Sequence, residues 1–114
     1  MARVLLVEDH DLVHWLLCDS VRAMGHEADC VKTKAEAEQL LSAGMHDLLV
    51  CDLALPDGSG HELLALTSNQ GIRAICITGH PDHIATAARL GVPCLAKPFD
   101  LDHLEKLIRQ HVGG

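Results

Sequence analysis

Aromatic residues are almost absent from this sequence of 114 residues, which has one Trp, one Phe and no Tyr. Hydrophobic residues nevertheless make up 48% of the chain, a share typical of a globular protein and not of a disordered one. The core must therefore be built mainly from Leu, Val, Ile and Ala. A chain of this length can bury a core of its own, and we expect a single domain over residues 1–114.

Basic residues and long apolar runs are also scarce. Nine Lys and Arg face sixteen Asp and Glu, which gives a formal net charge of -7. Such a surface repels a phosphate backbone, so we expect no nucleic acid binding through this chain. No apolar run approaches the roughly 20 residues of a membrane-spanning helix, and no signal peptide pattern opens the chain. We therefore expect no membrane association and a cytoplasmic location.

The five cysteines include no CxxC pair. Three of them, Cys51, Cys76 and Cys94, lie inside apolar stretches. Buried free thiols explain this pattern better than disulfides or zinc ligands do. The cysteines are thus consistent with a reducing compartment.

Short apolar runs alternate along the chain with longer amphipathic segments. The runs predict strands at Arg3–Val7, Ala28–Val31, Asp47–Cys51, Ala74–Ile77 and Pro93–Ala96, several of them too continuous for a half-exposed strand. The segments predict helices at Asp11–Met24, Lys34–Ala43, Gly60–Ser68, Pro81–Leu90 and Leu101–His111. Capping glycines follow three of these helices, at Gly25, Gly44 and Gly91. Five such repeats predict an α/β fold with an open parallel sheet and helices on both faces.

Acidic, hydroxyl and basic side chains stand at the ends of four predicted strands: Glu8, Asp9, Asp52, Thr78 and Lys97. Ligands of such sheets bind beyond the carboxyl ends of the strands. Three carboxylates held together repel one another, and a hard cation such as Mg²⁺ relieves that repulsion. The lysine and the threonine could bind phosphoryl oxygens, and phosphoryl transfer depends on this kind of positioning and charge neutralisation.

Each of these residues, taken singly, also fits a structural role. Asp9 or Asp11 could cap the first helix, Lys97 could be a solvated loop charge, and Thr78 could be a turn residue. The placement of all five polar residues at one edge of the sheet favours the functional interpretation.

The motifs around these residues resemble the receiver domain of bacterial two-component response regulators over essentially the whole chain. The matching segments are Val4–His10, Asp52–Gly60, Thr78–His80 and Ala96–Phe99. The resemblance implies a flavodoxin-like (βα)5 three-layer sandwich with the strand order 2-1-3-4-5. It also implies a histidine kinase or histidine phosphotransfer protein as partner, and a monomer or weak dimer.

The resemblance further implies a role for each residue at the strand ends. Asp52 would be the phosphoacceptor. Mg²⁺ (or Mn²⁺) would be held by Asp9 directly, by Glu8 through water, by Asp52, and by the backbone carbonyl of Ala54. Thr78 would be the switch hydroxyl. Lys97 would pair with the phosphoryl group, and its bond to Pro98 would be cis.

Three positions near this site bear on how the domain responds to phosphorylation. Cys94 stands three positions before Lys97, where the family usually has an aromatic residue that moves together with the threonine. We consider both a phosphate relay without a conformational switch and a diverged but working switch. Ala54 and His80 occupy positions that influence hydrolysis of the acyl phosphate in the family.

Other function classes fit the sequence less well. A phosphohydrolase of the haloacid dehalogenase type needs a second Asp two residues after its nucleophile, and Ala54 stands there. A pseudo-receiver that only binds partners would not need all five site residues. A flavin-binding protein would need a phosphate-binding loop where this chain has Glu8 and Asp9.

Nine histidines raise the question of a transition-metal site. His10 and His14 are four residues apart, and His80 and His83 are three apart, spacings that can chelate a metal. Because no Cys or acid completes either set, we favour solvated histidines.

The first helix predicts one exposed aromatic residue. At about 100° per residue, one face carries the residues expected to be buried: Val13, Leu16, Leu17, Val21 and Met24. Trp15 falls nearly opposite, on the face shared by Asp11, Cys18, Asp19 and Arg22. Exposed Trp residues are favoured in binding hot spots, so Trp15 could contact the phosphodonor protein. The ring could equally lie flat over neighbouring side chains.

Overall fold

Strands and helices alternate along the chain in the computed structural model, which describes residues 1–112. The elements are β1 Arg3–Val7, α1 Asp11–Ala23, β2 Glu27–Val31, α2 Lys34–Leu41, β3 Leu48–Asp52, β4 Ala54–Leu55, β5 Gly58–Ser59, α3 His61–Gln70, β6 Arg73–Thr78, α4 Pro81–Arg89, β7 Cys94–Ala96 and α5 Leu101–His111. Gly113 and Gly114, which the single-domain prediction includes, lie outside the described residues.

Five of the strands form one parallel sheet with the order β2-β1-β3-β6-β7. This arrangement confirms the predicted flavodoxin-like fold and strand order. The register aligns the strand ends: Val7 pairs with Cys51, Asp52 with Ile77, and Thr78 with Ala96. Residues that follow these strands therefore emerge at one edge of the sheet. The remaining strands, β4 and β5, form a small antiparallel hairpin that was not predicted.

Alternate strand residues build a separate core on each face of the sheet. On one face β1 contributes Val4 and Leu6, which pack with residues of α1 and α5 such as Leu17, Leu104 and Ile108. On the other face β1 contributes Leu5 and Val7, which pack with residues of α2, α3 and α4 such as Leu41, Leu63 and Ala87. The chain is thus a three-layer sandwich, as predicted.

Capping residues set the ends of several helices. Gly25, Gly44 and Gly91 have positive φ angles, as expected for residues that terminate a helix. The His80 side chain accepts a hydrogen bond from the backbone N–H of Asp82, and Pro81 opens α4. α1 begins after His10 with no side-chain cap, so neither Asp9 nor Asp11 serves as the N-cap.

The buried face of α1 is turned relative to the prediction. Trp15 is 55% exposed, as expected, but Leu16 is 44% exposed and Cys18 is fully buried, so both of those predictions are wrong. The helix packs against β2 and α5 as well as β1. These contacts bury Leu17, Cys18 and Val21. The angular position of each residue around the helix does not by itself predict this choice of buried residues.

Two cysteines form a disulfide, which corrects the prediction of free thiols. Cys18 of α1 is bonded to Cys30 of β2, with Cα atoms 6.3 Å apart. Their separation of 12 residues matches no motif, and only the packing of α1 on β2 brings them together. Cys51, Cys76 and Cys94 are free thiols, as predicted.

None of the helices within residues 1–112 has the length and apolarity required to cross a lipid bilayer.

Candidate functional site

The Asp52 carboxylate lies at the end of β3 and is almost completely buried, with 4% of the residue exposed. Its Oδ1 accepts a hydrogen bond of 2.9 Å from the backbone N–H of Ala54. Its Oδ2 accepts one of 2.8 Å from the Lys97 ammonium, which comes from the end of β7. The Asp52 side chain is therefore fixed by the segment that follows β3 and by the segment that follows β7.

Lys97 bridges Asp52 to a second buried acid. Its Nζ lies 3.0 Å from Glu8 Oε2, and Glu8 is only 1% exposed. Burial raises the pKa of Glu8, although hydrogen bonds from Lys97 and from the His10 backbone act in the opposite direction. Burial acts to lower the pKa of Lys97, but the hydrogen bonds that its ammonium donates to Asp52 and Glu8 outweigh this effect, so the pKa is raised. The ammonium is accordingly held in its charged form.

Three carboxylates converge at this point. Oxygen atoms of Glu8, Asp9 and Asp52 all lie within 4.8 Å of one another, with Asp9 exposed to solvent. Lys97 balances only one of the three negative charges. The remaining charge and the all-oxygen donor set fit a hard divalent cation such as Mg²⁺.

Thr78 ends β6 on the other side of β3, and its side chain is buried. Its Oγ1 accepts a hydrogen bond of 3.1 Å from the backbone N–H of His80. The same oxygen lies 3.2 Å from Nδ1 of His83, on the first turn of α4. The hydroxyl is thus engaged with α4. The sequence does not predict this contact of His83, whose spacing from His80 suggested only a possible metal chelator.

The remaining predicted residues surround this edge. The peptide bond between Lys97 and Pro98 is cis, in agreement with the expectation. Ala54 and His80 are exposed at the opening of the site. Cys94 is half-buried beside Cys76 on the neighbouring strand, and burial raises the pKa of its thiol.

The histidines are less uniformly solvated than predicted. His14 is buried with Nδ1 3.0 Å from the backbone oxygen of Glu8, and His46 is buried against Asp29. The rings of His61 and His80 flank the ring of His83, with centroids 5.3 and 5.0 Å away. Within residues 1–112, only the acid cluster brings three potential ligand atoms together.

Trp15 is exposed on α1, and the next residue, Leu16, lines an apolar groove. The exposed ring stands edge-on to the His14 ring, with centroids 5.1 Å apart. The groove has a volume of about 470 Å³ and is lined by His10, Val13, Leu16, Lys97, Pro98, Phe99 and Leu101. The groove is connected to the carboxylates through Lys97, and the Trp15 ring is connected to the Glu8 backbone through His14.

The chain matches the family model of the response regulator receiver domain over residues 4–109. Among curated proteins, it is 34% identical to the transcriptional regulatory protein BasR of Escherichia coli strain K12, over 94% of this chain and 50% of BasR. It is 35% identical to the swarming motility regulation protein RssB of Serratia marcescens, over 97% of this chain and 54% of RssB. The chain thus spans about half the length of these relatives.

Solved structures of similar fold include receiver domains. The non-phosphorylated HemR receiver domain of Leptospira biflexa superposes with a TM-score of 0.87 at 26% identity, covering 100% of this chain and 96% of that one. The signal receiver domain of an HD domain-containing protein from Pseudomonas fluorescens Pf-5 gives 0.88 at 27% identity, covering 98% and 94%.

Proposed function

The chain belongs to the response regulator receiver domain family of two-component signalling, and from this premise we propose that Asp52 accepts a phosphoryl group from a phosphohistidine. The donor is a sensor histidine kinase or a histidine phosphotransfer protein. One observation carries the proposal: Lys97 joins the buried carboxylates of Asp52 and Glu8 beside the exposed carboxylate of Asp9.

The transfer is a displacement at phosphorus. A carboxylate oxygen of Asp52 forms a bond to the phosphorus atom while the bond from phosphorus to the imidazole nitrogen of the donor breaks. The electron pair of the broken bond stays with the donor imidazole, which becomes neutral after protonation. Asp52 is suited to this role because hydrogen bonds from Ala54 and Lys97 fix its orientation before the donor arrives.

The acid cluster would hold Mg²⁺ (or Mn²⁺) through Asp9, Asp52, the backbone carbonyl of Ala54, and Glu8 through water. Such an ion, when bound, neutralises charge between the phosphoryl oxygens and the carboxylates. Lys97 contributes the same kind of neutralisation from the protein side, and it can follow the phosphoryl oxygens because its ammonium already contacts Asp52.

Two experiments in the presence of Mg²⁺ test the proposal: phosphorylation by acetyl phosphate, and binding of beryllofluoride. We expect a single hydroxylamine-sensitive phosphoryl group on the wild-type protein and none on Asp52→Asn. Asp57→Asn is the matched control, since Asp57 is exposed in the next loop. Phosphorylation that survives in Asp52→Asn would place the acceptor elsewhere and refute the assignment.

We further propose that the donor docks on Trp15 and on the apolar groove. Lys97, which lines the groove, contacts Asp52 and Glu8, and His14, which the Trp15 ring touches, contacts the Glu8 backbone. Exposed Trp residues are favoured in binding hot spots. Trp15→Ala should slow transfer from a cognate phosphohistidine protein at least tenfold while leaving phosphorylation by acetyl phosphate unchanged. Leu90→Ala removes an exposed side chain at the C-cap of α4 and serves as control. Equal transfer rates for Trp15→Ala and wild type would contradict the docking role.

The domain, in this proposal, turns over no external substrate and catalyses only its own phosphorylation and dephosphorylation. It works in the cytoplasm as a monomer or weak dimer and does not itself bind nucleic acid or a membrane. Ala54 leaves no acid where a phosphohydrolase needs a proton donor. The curated relatives BasR and RssB are about twice as long as this chain, and the output of the domain is left open in this proposal.

A further inference from the structure

The Thr78 hydroxyl has a single proton, which it can donate to only one acceptor at a time. In this structure Oγ1 already accepts the backbone N–H of His80 and lies 3.2 Å from Nδ1 of His83. Thr78 is 1% exposed, so its proton cannot turn to solvent. A buried hydroxyl proton needs an acceptor, and His83 Nδ1 supplies one within hydrogen-bond distance when the imidazole carries its proton on Nε2.

We propose that His83 is a positioning residue that holds the Thr78 hydroxyl away from Asp52 until phosphorylation. This inference rests on the proposed function. A phosphoryl group on Asp52 offers a second acceptor for the same proton, and one hydroxyl cannot donate to both. The hydrogen bond to His83 must break when the hydroxyl turns to the phosphoryl oxygens, so it opposes the phosphorylated conformation.

The surroundings of His83 keep its ring in place for this role. The rings of His61 and His80 flank it at centroid distances of 5.3 and 5.0 Å. His80 is itself fixed, because it caps α4, and His61 is the first residue of α3. The acceptor atom is therefore held by ring contacts from α3 and from the N-cap residue of α4.

This arrangement supplies a partner for the threonine where the sequence lacks the usual one. Cys94 occupies the position of the family's switch aromatic and has no ring to move. His83 instead couples the hydroxyl directly to the first turn of α4. The loss of that hydrogen bond is the event by which the start of α4 responds to phosphorylation.

Affinity for beryllofluoride in the presence of Mg²⁺ measures the equilibrium, because this probe mimics the phosphoryl group on Asp52. His83→Ala and His83→Phe both remove the acceptor, and Phe keeps a ring between His61 and His80. We expect both variants to bind beryllofluoride about threefold to tenfold more tightly than wild type, the range expected for the loss of one competing hydrogen bond. His83→Asn places an oxygen near the position of Nδ1 and should restore wild-type affinity.

A double-mutant cycle separates this role from a general effect on folding. In a Thr78→Val background, His83→Phe should change beryllofluoride affinity less than twofold. His103→Ala removes an exposed histidine of α5 and should match wild type. Equal affinities of wild type, His83→Ala and His83→Phe would overturn the positioning role while leaving Asp52 as acceptor. Failure of wild type itself to bind beryllofluoride would overturn both proposals.

Nitrogen NMR of the wild-type protein tests the same inference without any substitution. Donation by Thr78 requires His83 to be unprotonated at Nδ1, so its imidazole should carry the proton on Nε2. Addition of beryllofluoride and Mg²⁺ should shift the Nδ1 resonance as the hydrogen bond is lost. A proton on Nδ1 in the free protein, or an Nδ1 resonance unchanged by beryllofluoride, would contradict the proposal.

Discussion

Asp29 lies outside the site, and its carboxylate contacts residues of two other segments of the chain. Its Oδ2 lies 2.7 Å from His46 Nε2 and 3.2 Å from Arg3 Nε. The hydrogen bond from His46 lowers the pKa of Asp29 below its ordinary value of 3.8, with Arg3 acting in the same direction and burial opposing. One carboxylate thus joins β2 to β1 and to the segment before β3.

The sign of this shift predicts how stability depends on pH. A carboxyl whose pKa is lower in the folded protein stabilises it above pH 3.8, and the contribution disappears as pH falls through the folded-state pKa. Asp29→Asn should therefore lower the free energy of unfolding by about 1 kcal/mol at pH 7, a value reduced for partial exposure of the carboxylate. Urea unfolding at pH 7 and pH 3 measures this.

The difference between Asp29→Asn and wild type should shrink markedly at pH 3. Asp19→Asn, which changes an exposed carboxyl on α1, should match wild type at both values. A deficit of Asp29→Asn that stays constant with pH would rule out the carboxylate as its source.

At the scale of elements, the turn into α3 controls the position of Asp52. A Cβ atom added to Gly60 would lie 2.8 Å from the backbone oxygen of Asp52 and 2.9 Å from Cys51 Sγ. The Gly60 backbone N–H also donates to the oxygen of Leu53. The chain after β3 can return this closely only because residue 60 has no side chain.

Gly60→Ala should destabilise the fold by about 1–3 kcal/mol, since overpacking at this contact forces the backbone of β3 to move. It should also slow phosphorylation by acetyl phosphate. Gly79→Ala is the matched control, because its Cβ would meet only Lys97 Cβ, at 3.7 Å. Urea unfolding and acetyl phosphate kinetics measure both effects, and a Gly60→Ala protein as stable as Gly79→Ala would contradict this explanation.

The elements were predictable where local pattern decides them. α5 was predicted at its observed bounds, and the other helices of the fold begin or end within a few residues of prediction, because their apolar spacing and caps are local signals. The β4–β5 hairpin was missed because two-residue strands leave no periodicity to detect. The prediction for α1 was wrong at Leu16 and Cys18, since burial there depends on how the helix packs against β2 and α5.

In the site, too, some features could be predicted from the sequence and others depend on tertiary contacts. Parallel topology is enough to bring Glu8, Asp9, Asp52, Thr78 and Lys97 to one edge, so their grouping was predictable. The hydrogen bond between Thr78 and His83 depends on how α4 departs from β6, and a histidine in a first helical turn gives no such signal alone. The residue five positions after the corresponding threonine is nevertheless worth testing for the same contact in related sequences.

At the scale of the whole molecule, the disulfide joins the edge strand of the sheet to the helix that covers it. Cys18 and Cys30 close a short loop from α1 to β2, and such a bridge stabilises mainly by restricting the unfolded chain. We expect dithiothreitol to lower the free energy of unfolding of the wild-type protein by about 3 kcal/mol, the value for a loop of roughly 15 residues.

Cys30→Ala should be less stable than oxidised wild type and should not respond to dithiothreitol. Cys94→Ala removes a free thiol and should keep the full response of wild type. Urea unfolding with and without reductant decides the matter, and a wild-type protein indifferent to dithiothreitol would show that the bridge does not form in solution.

The alignment of strand ends has a consequence for synthesis of the protein. Asp52 and its lysine partner are 45 residues apart, and Lys97 follows β7, which joins the sheet last in chain order. A nascent chain that still holds β7 inside the ribosome has the Asp52 carboxylate without the Lys97 ammonium. Under the proposed function, competence for phosphorylation therefore arrives only when the sheet is complete, and a phosphoryl group on Asp52 reports a domain that is folded through β7.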